Sequence, residues 1–295
     1  MNAKFGLRLL LISLLLVAAI SCGAVKERQV VTAPPAYTAA KTASLSELVE
    51  LVNDRYAGID SLTVSKLEVE FTGGSIEDGY FEKYRTAKGY LVAEKPKSVF
   101  VNILNPLTSS SVLVMASHHG EFQIWIPSRN QFVTGRTDVK TDEDNPVYNV
   151  RPLHILEGIL IESVPVQNSE FKYYIEEDKD QAYKYYVLGI FRSTPDSPVL
   201  ELQRKIWIER STMHIRRQQY YSGSELTSIV QYGSSVEIGN KLVATRVEID
   251  RPVERYAISF EFKPETVELN RELKPESFTL KVPAGAEVVQ VEGKD

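Results

Sequence analysis

Cysteine is nearly absent from this chain: Cys22 is the only one in 295 residues. A single thiol closes no intramolecular disulfide and supplies no thiolate pair for zinc. Histidine is also scarce, with four residues, His118, His119, His154 and His214. They form no HExxH motif. His118 and His119 are adjacent, so on a strand they point to opposite faces and in a turn they are solvated. No metal site is expected. There is no GxSxG elbow and no phosphate-binding P-loop. Gly73-Gly74-Ser75 and Gly223-Ser224 read as turn signals, and Glu176-Glu177-Asp178 as a solvated face. No catalytic residue stands out, and the chain is not expected to be an enzyme. Positive charge is in deficit as well. The formal net charge of −5 becomes −7 once Lys4 and Arg8 are removed with the segment described next, which argues against a nucleic-acid partner. Beyond residue 22 no apolar run is long enough to span a bilayer.

What is present begins at the N-terminus, MNAKFGLRLLLISLLLVAAISC. Lys4 and Arg8 precede a mostly aliphatic stretch from Leu9 to Ile20. As a helix it would span about 18 Å, short of the ~30 Å apolar core of a bilayer. An export signal over 1–21 fits better than a membrane-spanning helix. Ala18, Ala19 and Ser21 are small residues leading to Cys22, and this resembles the lipobox of bacterial lipoproteins. That resemblance implies covalent diacylglycerol and an N-acyl chain on Cys22, with no other cofactor. Two or more acyl chains hold a protein stably on a membrane, where one gives only marginal binding. By the same resemblance, Gly23 stands where an inner-membrane retention signal would carry Asp, which implies the outer membrane, periplasmic side.

Residues 22–43 read as a lipidated end and flexible tether containing Pro34-Pro35. A helix is expected next. Ser44 and Glu47 form a capping-box pattern, Leu45, Leu48, Val49, Val52 and Tyr56 share a face, and Gly58 can end it. After it the chain is mainly β. Strands are expected at Tyr80–Ala93 with a kink at Gly89, Val99–Leu104, Ser111–Ala116, Phe122–Ile126, Tyr183–Phe191, Leu200–Glu209, Ile215–Tyr221, Leu226–Gln231, Lys241–Ile249, Ala257–Phe262 and Phe278–Val282. Asp138–Asn145 is a polar loop. Pro152 then opens a short apolar helix through Ile161, with Leu153, Leu156, Ile159 and Leu160 on one side and Ile155 and Ile161 widening it. The fold class is mainly β: a curled antiparallel sheet forming a half-open barrel over 44–291, with an N-terminal helix and a short apolar lid helix. Such a sheet either fills its inner face or leaves a ligand cavity. Phe100, Phe122, Trp125 and Trp207 are candidates for its wall, and Leu153, Leu156, Ile159 and Leu160 for its lid.

Together these features resemble the LolA/LolB family of periplasmic lipoprotein carriers and receptors, and LolB most. The order of elements is similar. Asn105-Pro106-Leu107 looks like the Asn-Pro-Leu turn of LolB. Leu273-Lys274-Pro275-Glu276-Ser277-Phe278, followed by Val282-Pro283-Ala284-Gly285, looks like the closing strand of the fold. The resemblance implies a membrane-anchored protein that holds acyl chains of lipoproteins or lipids and delivers them to the outer membrane, with Leu107 touching the membrane and a periplasmic carrier protein as a possible partner. Two other readings stay open: an envelope-sensing or interaction lipoprotein of the same fold, and a hydrolase with dispersed residues.

Overall fold

The computed structural model describes residues 39–75, 80–83, 86–137, 149–194 and 198–291. The signal segment, Cys22, residues 22–38 of the tether and the 138–145 loop lie outside the described residues. Tyr37–Asp295 is a compact unit with its own core.

The last residues of the expected tether are docked. Lys41 N donates to Arg210 O at 2.9 Å, Arg210 Nε to Lys41 O at 3.2 Å, and Ala43 N to Tyr186 Oη at 3.2 Å. The first helix, α1 (Leu45–Leu51), starts on the capping box. Ser44 N donates to Glu47 Oε2 at 2.7 Å, and Ser44 Oγ accepts from Glu47 N. It widens into a π-helical turn over Val52–Ala57 and stops at Gly58. Leu48, Val49, Val52 and Tyr56 are buried, as their spacing implies.

The first strand, β1 (Ser61–Ser75), was hidden in the sequence. It is the spine of the sheet, flanked by β3 (Ala87–Glu94) and β16 (Tyr256–Phe262), with β2 (Tyr80–Lys83) and β17 (Val267–Leu269) also paired to it. A register shift between Val64 and Leu67 breaks the alternation of buried residues, Leu62 and Val64 before it, Leu67 and Val69 after. A bulge of this kind erases the period-2 signal. Gly73 and Gly74, expected as a turn, lie inside this strand. Gly89 is required by close approach, since a Cβ there would sit 2.4 Å from the Asn102 carbonyl oxygen.

The sheet continues through β4 (Ser98–Leu104), β5 (Ser111–His118), β6 (Glu121–Ile126) and β7 (Gln131–Arg136) on one side. On the other side run β8 (Phe171–Lys179), β9 (Lys184–Ser193), β10 (Leu200–Glu209), β11 (His214–Ser222), β12 (Glu225–Tyr232) and β15 (Arg246–Arg251). β8, like β1, was not expected; the hairpin it makes with β9 extends the sheet. The expected strand Lys241–Ile249 divides at Thr245. Its first part, β14 (Lys241–Ala244), leaves the main sheet to pair with β13 (Ser235–Ile238).

The C-terminus corrects two expectations. Phe278–Val282 is not a strand: Pro275–Phe278 is a single 3-10 turn that buries Phe278 against His118 at 5.9 Å. The closing strand is β18 (Glu287–Val291), and it runs parallel to β7. The large sheet is therefore mixed rather than wholly antiparallel. Its ends are β18 and β8, and it does not close into a barrel. It is mainly β and open, as expected. The second helix, α2 (Pro152–Ile159), has Pro152 in its first turn and buries Ile155, Leu156 and Gly158 in the core.

Candidate functional site

The inward residues of β1, β3–β6 and β16 leave an apolar cavity of about 320 Å³ at one end of the sheet. That is the lower end of the range for small-molecule sites. Val69, Phe71, Ile103, Met115, Ile126 and Ile258 make its wall, and Val150, just before α2, closes one side. Leu104, Pro106, Val112 and Leu113 form the rim where β4 turns into β5, and Arg129 is the charged residue of the lining.

The β4–β5 turn is built to hold its shape. Asn105 Oδ1 accepts from Leu107 N at 2.9 Å and from Thr108 N at 3.2 Å; Asn105 N donates to Ser110 O at 2.8 Å, and Ser109 N to Asn105 O at 2.9 Å. This side-chain turn satisfies the backbone locally. It leaves the Leu107 side chain 91% exposed, next to Pro106 on the cavity rim. Val112, on the rim as well, is also exposed.

The remaining sequence candidates are dispersed. Phe122 is fully buried on the inner face with the Arg151 guanidinium 4.5 Å above its ring. Phe100 and Trp125 alternate with the core residues of their strands and so lie on the outer face; Phe100 stacks on Tyr90 at 5.7 Å. Trp207 is on the outer face too, packed with Tyr185 and Val187, its Nε1 donating to Asp178 at 2.9 Å. The cavity wall is instead made by residues on β1 and β16, by Ile103 on β4, by Met115 on β5 and by Ile126 on β6. For Val69 and Phe71 the signal that would mark them, alternation along β1, is interrupted by the bulge.

Leu153, Leu156 and Leu160 of the expected lid line a different space, a groove of about 640 Å³ on the other side of α2. Ile159 faces a small void beside Tyr56, Tyr232 and Phe262. The helix is pinned at three points. Tyr232 Oη donates to Gly158 O at 2.9 Å, Tyr220 Oη to Glu157 O at 3.3 Å, and His154 Nδ1 shares a 2.7 Å hydrogen bond with Tyr256 Oη. Burial, with Arg251 and Arg151 nearby, holds His154 well below its ordinary pKa, so the ring is neutral at physiological pH. Beside it Arg251 makes a two-pronged ion pair with Glu254 at 3.0 and 2.7 Å.

The groove is charged where the cavity is apolar. Glu157 is half-buried on α2, and burial pushes its carboxyl up to about 7. Lys95 Nζ donates to Ala57 O at 2.7 Å and Ile161 O at 2.8 Å, and Arg204 donates to Glu162 O at 3.1 Å and Ser163 O at 3.3 Å. Sequence reasoning missed this group because its members come from segments far apart in the chain.

His118 is engaged by Ser98 Oγ at 2.8 Å, and His119 sits in the following turn at φ 50°. Among the described residues no three His, Cys, Asp or Glu side chains converge as metal ligands, and no helix is long and apolar enough to cross a membrane.

No family model matches the chain, and no curated protein matches it. Solved structures do. A LolA superfamily protein from Nitrosomonas europaea is 14% identical, covering 81% of this chain and 99% of its own, with a TM-score of 0.45. A DUF1329 family protein from Desulfovibrio piger is 12% identical over 81% and 98%, with a TM-score of 0.49. A domain described as an outer membrane lipoprotein-sorting protein, from Vibrio parahaemolyticus, is 10% identical over 79% and 94%, with a TM-score of 0.50. The last likeness shows a shared fold.

Proposed function

We propose that this chain is an envelope lipoprotein, anchored through Cys22, that receives acyl chains of lipoproteins or lipids in its apolar cavity and passes them to the outer membrane on the periplasmic side. One observation carries the reading. The apolar cavity opens at the rim where Leu107 is held 91% exposed by a self-bonded turn. A container and a membrane-seeking side chain at the same end of the sheet suit transfer into a bilayer. The lipoprotein-sorting description of the Vibrio domain agrees with it.

The thermodynamics of such transfer are simple. Each CH₂ moved from water into an apolar site gains roughly 0.8 kcal/mol. Cavity and bilayer both provide that gain, so handover is close to neutral and runs toward whichever offers more apolar burial. No bond is made or broken. Tethering at Cys22 keeps the rim near its acceptor.

The test is displacement of an apolar fluorophore from the compact unit starting at Tyr37, followed by transfer of a fluorescent acylated peptide to vesicles. Saturable binding, competed by fatty acyl chains and followed by delivery, is the expected result. A dry protein that binds no apolar probe ends the carrier reading. Binding without delivery would favour a sensing role instead.

A further inference from the structure

The groove behind α2 is lined by three acids, Asp60, Glu157 and Glu162, and three bases, Lys95, Lys97 and Arg204. Opposite charges sharing one cavity ordinarily pair. Here, among the described residues, no ion pair within 4.0 Å joins any of these acids to any of these bases. Two of the bases are held back by neutral backbone carbonyls: Lys95 by Ala57 and Ile161, Arg204 by Glu162 and Ser163. An ammonium has three protons, so Lys95 keeps one beyond these two bonds, and Arg204 keeps more. Glu157, half-buried, has its carboxyl without a hydrogen-bonding partner, although its main-chain oxygen is used by Tyr220. The groove thus carries both signs with no direct ion pair among them, Asp60 and Glu162 acting on Lys95 only at longer range.

A ligand of one sign meets repulsion from half of this lining. A small ligand carrying both signs satisfies both halves, and the apolar floor of Leu153, Leu156 and Leu160 suits short methylene spacers between them. We propose that this groove binds a zwitterion, a protonated amine facing Glu157 and a phosphate or carboxylate facing Lys95 and Lys97. The same chemistry is found in a free aminoalkyl phosphate and in an aminoalkyl phosphate lipid headgroup. The groove and the apolar cavity are lined by different residues, so this site stands whether or not acyl chains occupy the cavity.

The experiment is calorimetric titration of the full chain, in micelles of an uncharged maltoside detergent, with phosphoethanolamine, ethanolamine and inorganic phosphate. Phosphoethanolamine is expected to bind at least tenfold more tightly than either half alone. Glu157→Gln is expected to weaken phosphoethanolamine at least tenfold and leave inorganic phosphate unchanged. Lys97→Met, at an exposed position that does not endanger folding, is expected to weaken phosphoethanolamine and phosphate alike. Equal binding of phosphate and phosphoethanolamine, no binding of any of the three, or no effect of Glu157→Gln overturns the proposal. Repeating the titration in phosphatidylglycerol vesicles with and without phosphatidylethanolamine separates the sources. Competition by the vesicle lipid supports a headgroup, and undiminished binding supports a free zwitterion. An apolar fluorophore in the same samples reports the cavity independently, so failure of one site is distinguishable from failure of the other.

Discussion

Replacing Leu107 with glutamate tests the delivery step most directly. The side chain is 91% exposed, and the turn that presents it is held by Asn105 and by backbone hydrogen bonds that do not involve the leucine side chain. Folding stability should therefore move by no more than about 0.5 kcal/mol. Full burial of a leucine side chain gains about 1.5–3 kcal/mol. At the lower end of that range, loss of this contact slows membrane engagement by roughly tenfold, at 1.4 kcal/mol per factor of ten. The charge of glutamate, disfavoured in an apolar phase, adds to the loss. The assay is transfer of a fluorescent acylated peptide from loaded protein to vesicles, with thermal unfolding and apolar-probe affinity measured in parallel. The expected outcome is unchanged melting, unchanged probe affinity and delivery slowed at least tenfold. Delivery at the unmodified rate would remove Leu107 from the mechanism. A large fall in melting temperature would show that the leucine folds back onto the core.

The cavity is tested by filling it: Ala87→Trp, at its lining, should abolish apolar-probe binding, while Trp125→Ala on the outer face should leave it intact, and the reverse pattern would place the site elsewhere. Glu157 gives a pH prediction. Its folded-state pKa of about 7 lies above the ordinary carboxyl value of 4.5, so the native state holds the proton more tightly and loses stability as pH rises through this interval. The penalty is absent below about pH 4.5 and complete above about 7, at most about 3 kcal/mol and less for a half-buried group. Glu157→Gln should accordingly raise the melting temperature at pH 8 and change it little at pH 4.5; equal effects at both would refute the burial argument. Cys22→Ser should leave an unlipidated precursor, seen as loss of the acyl mass in intact-protein spectrometry. Amide exchange at Leu156 and Leu160 should be slowed at least a thousandfold relative to the free chain, against little protection in the exposed β4–β5 turn.

Much of the fold was legible because most elements carry their own local signal. Ser44 and Glu47 do cap α1, Pro152 does open α2, and β10 covers Leu200–Glu209 as expected. What was not legible failed for physical reasons. The two residues Ser65 and Lys66, between Val64 and Leu67, shift the phase of β1 and disguise the central strand of the sheet. The strand β8 is exposed along most of its length, so it has no apolar alternation to detect. The C-terminal apolar residues Phe278 and Leu280 flank a prolyl turn and dock by Phe278 stacking and by Leu280 N donating to Gln123 Oε1 at 2.7 Å, not by strand pairing. The candidate site was harder still. Phe100, Trp125 and Trp207 are large and apolar, but size does not reveal which face of a sheet a residue occupies. That depends on register, and a single slip reverses it.

On the proposed carrier reading, the placement of α2 bears on how an acyl chain would enter. To swing clear as a lid, the helix must expose Ile155, Leu156 and Leu160, each worth about 1.5–3 kcal/mol. It must also break the bonds from Tyr232, Tyr220 and Tyr256, at about 1 kcal/mol apiece. Part of that cost is returned as chain entropy. A net figure of order 5 kcal/mol leaves the helix displaced in roughly one molecule in several thousand. The rim at Leu104, Pro106 and Val112 needs no such opening, because it already borders solvent. On the proposed carrier reading, an acyl chain entering there would pass between strands β4 and β5 and the Val150 side of the cavity, with α2 staying in place. On its other flank the charged groove stays separate from the apolar space. A polar group and a hydrocarbon chain can then be held by the same molecule without either being forced into the other's environment.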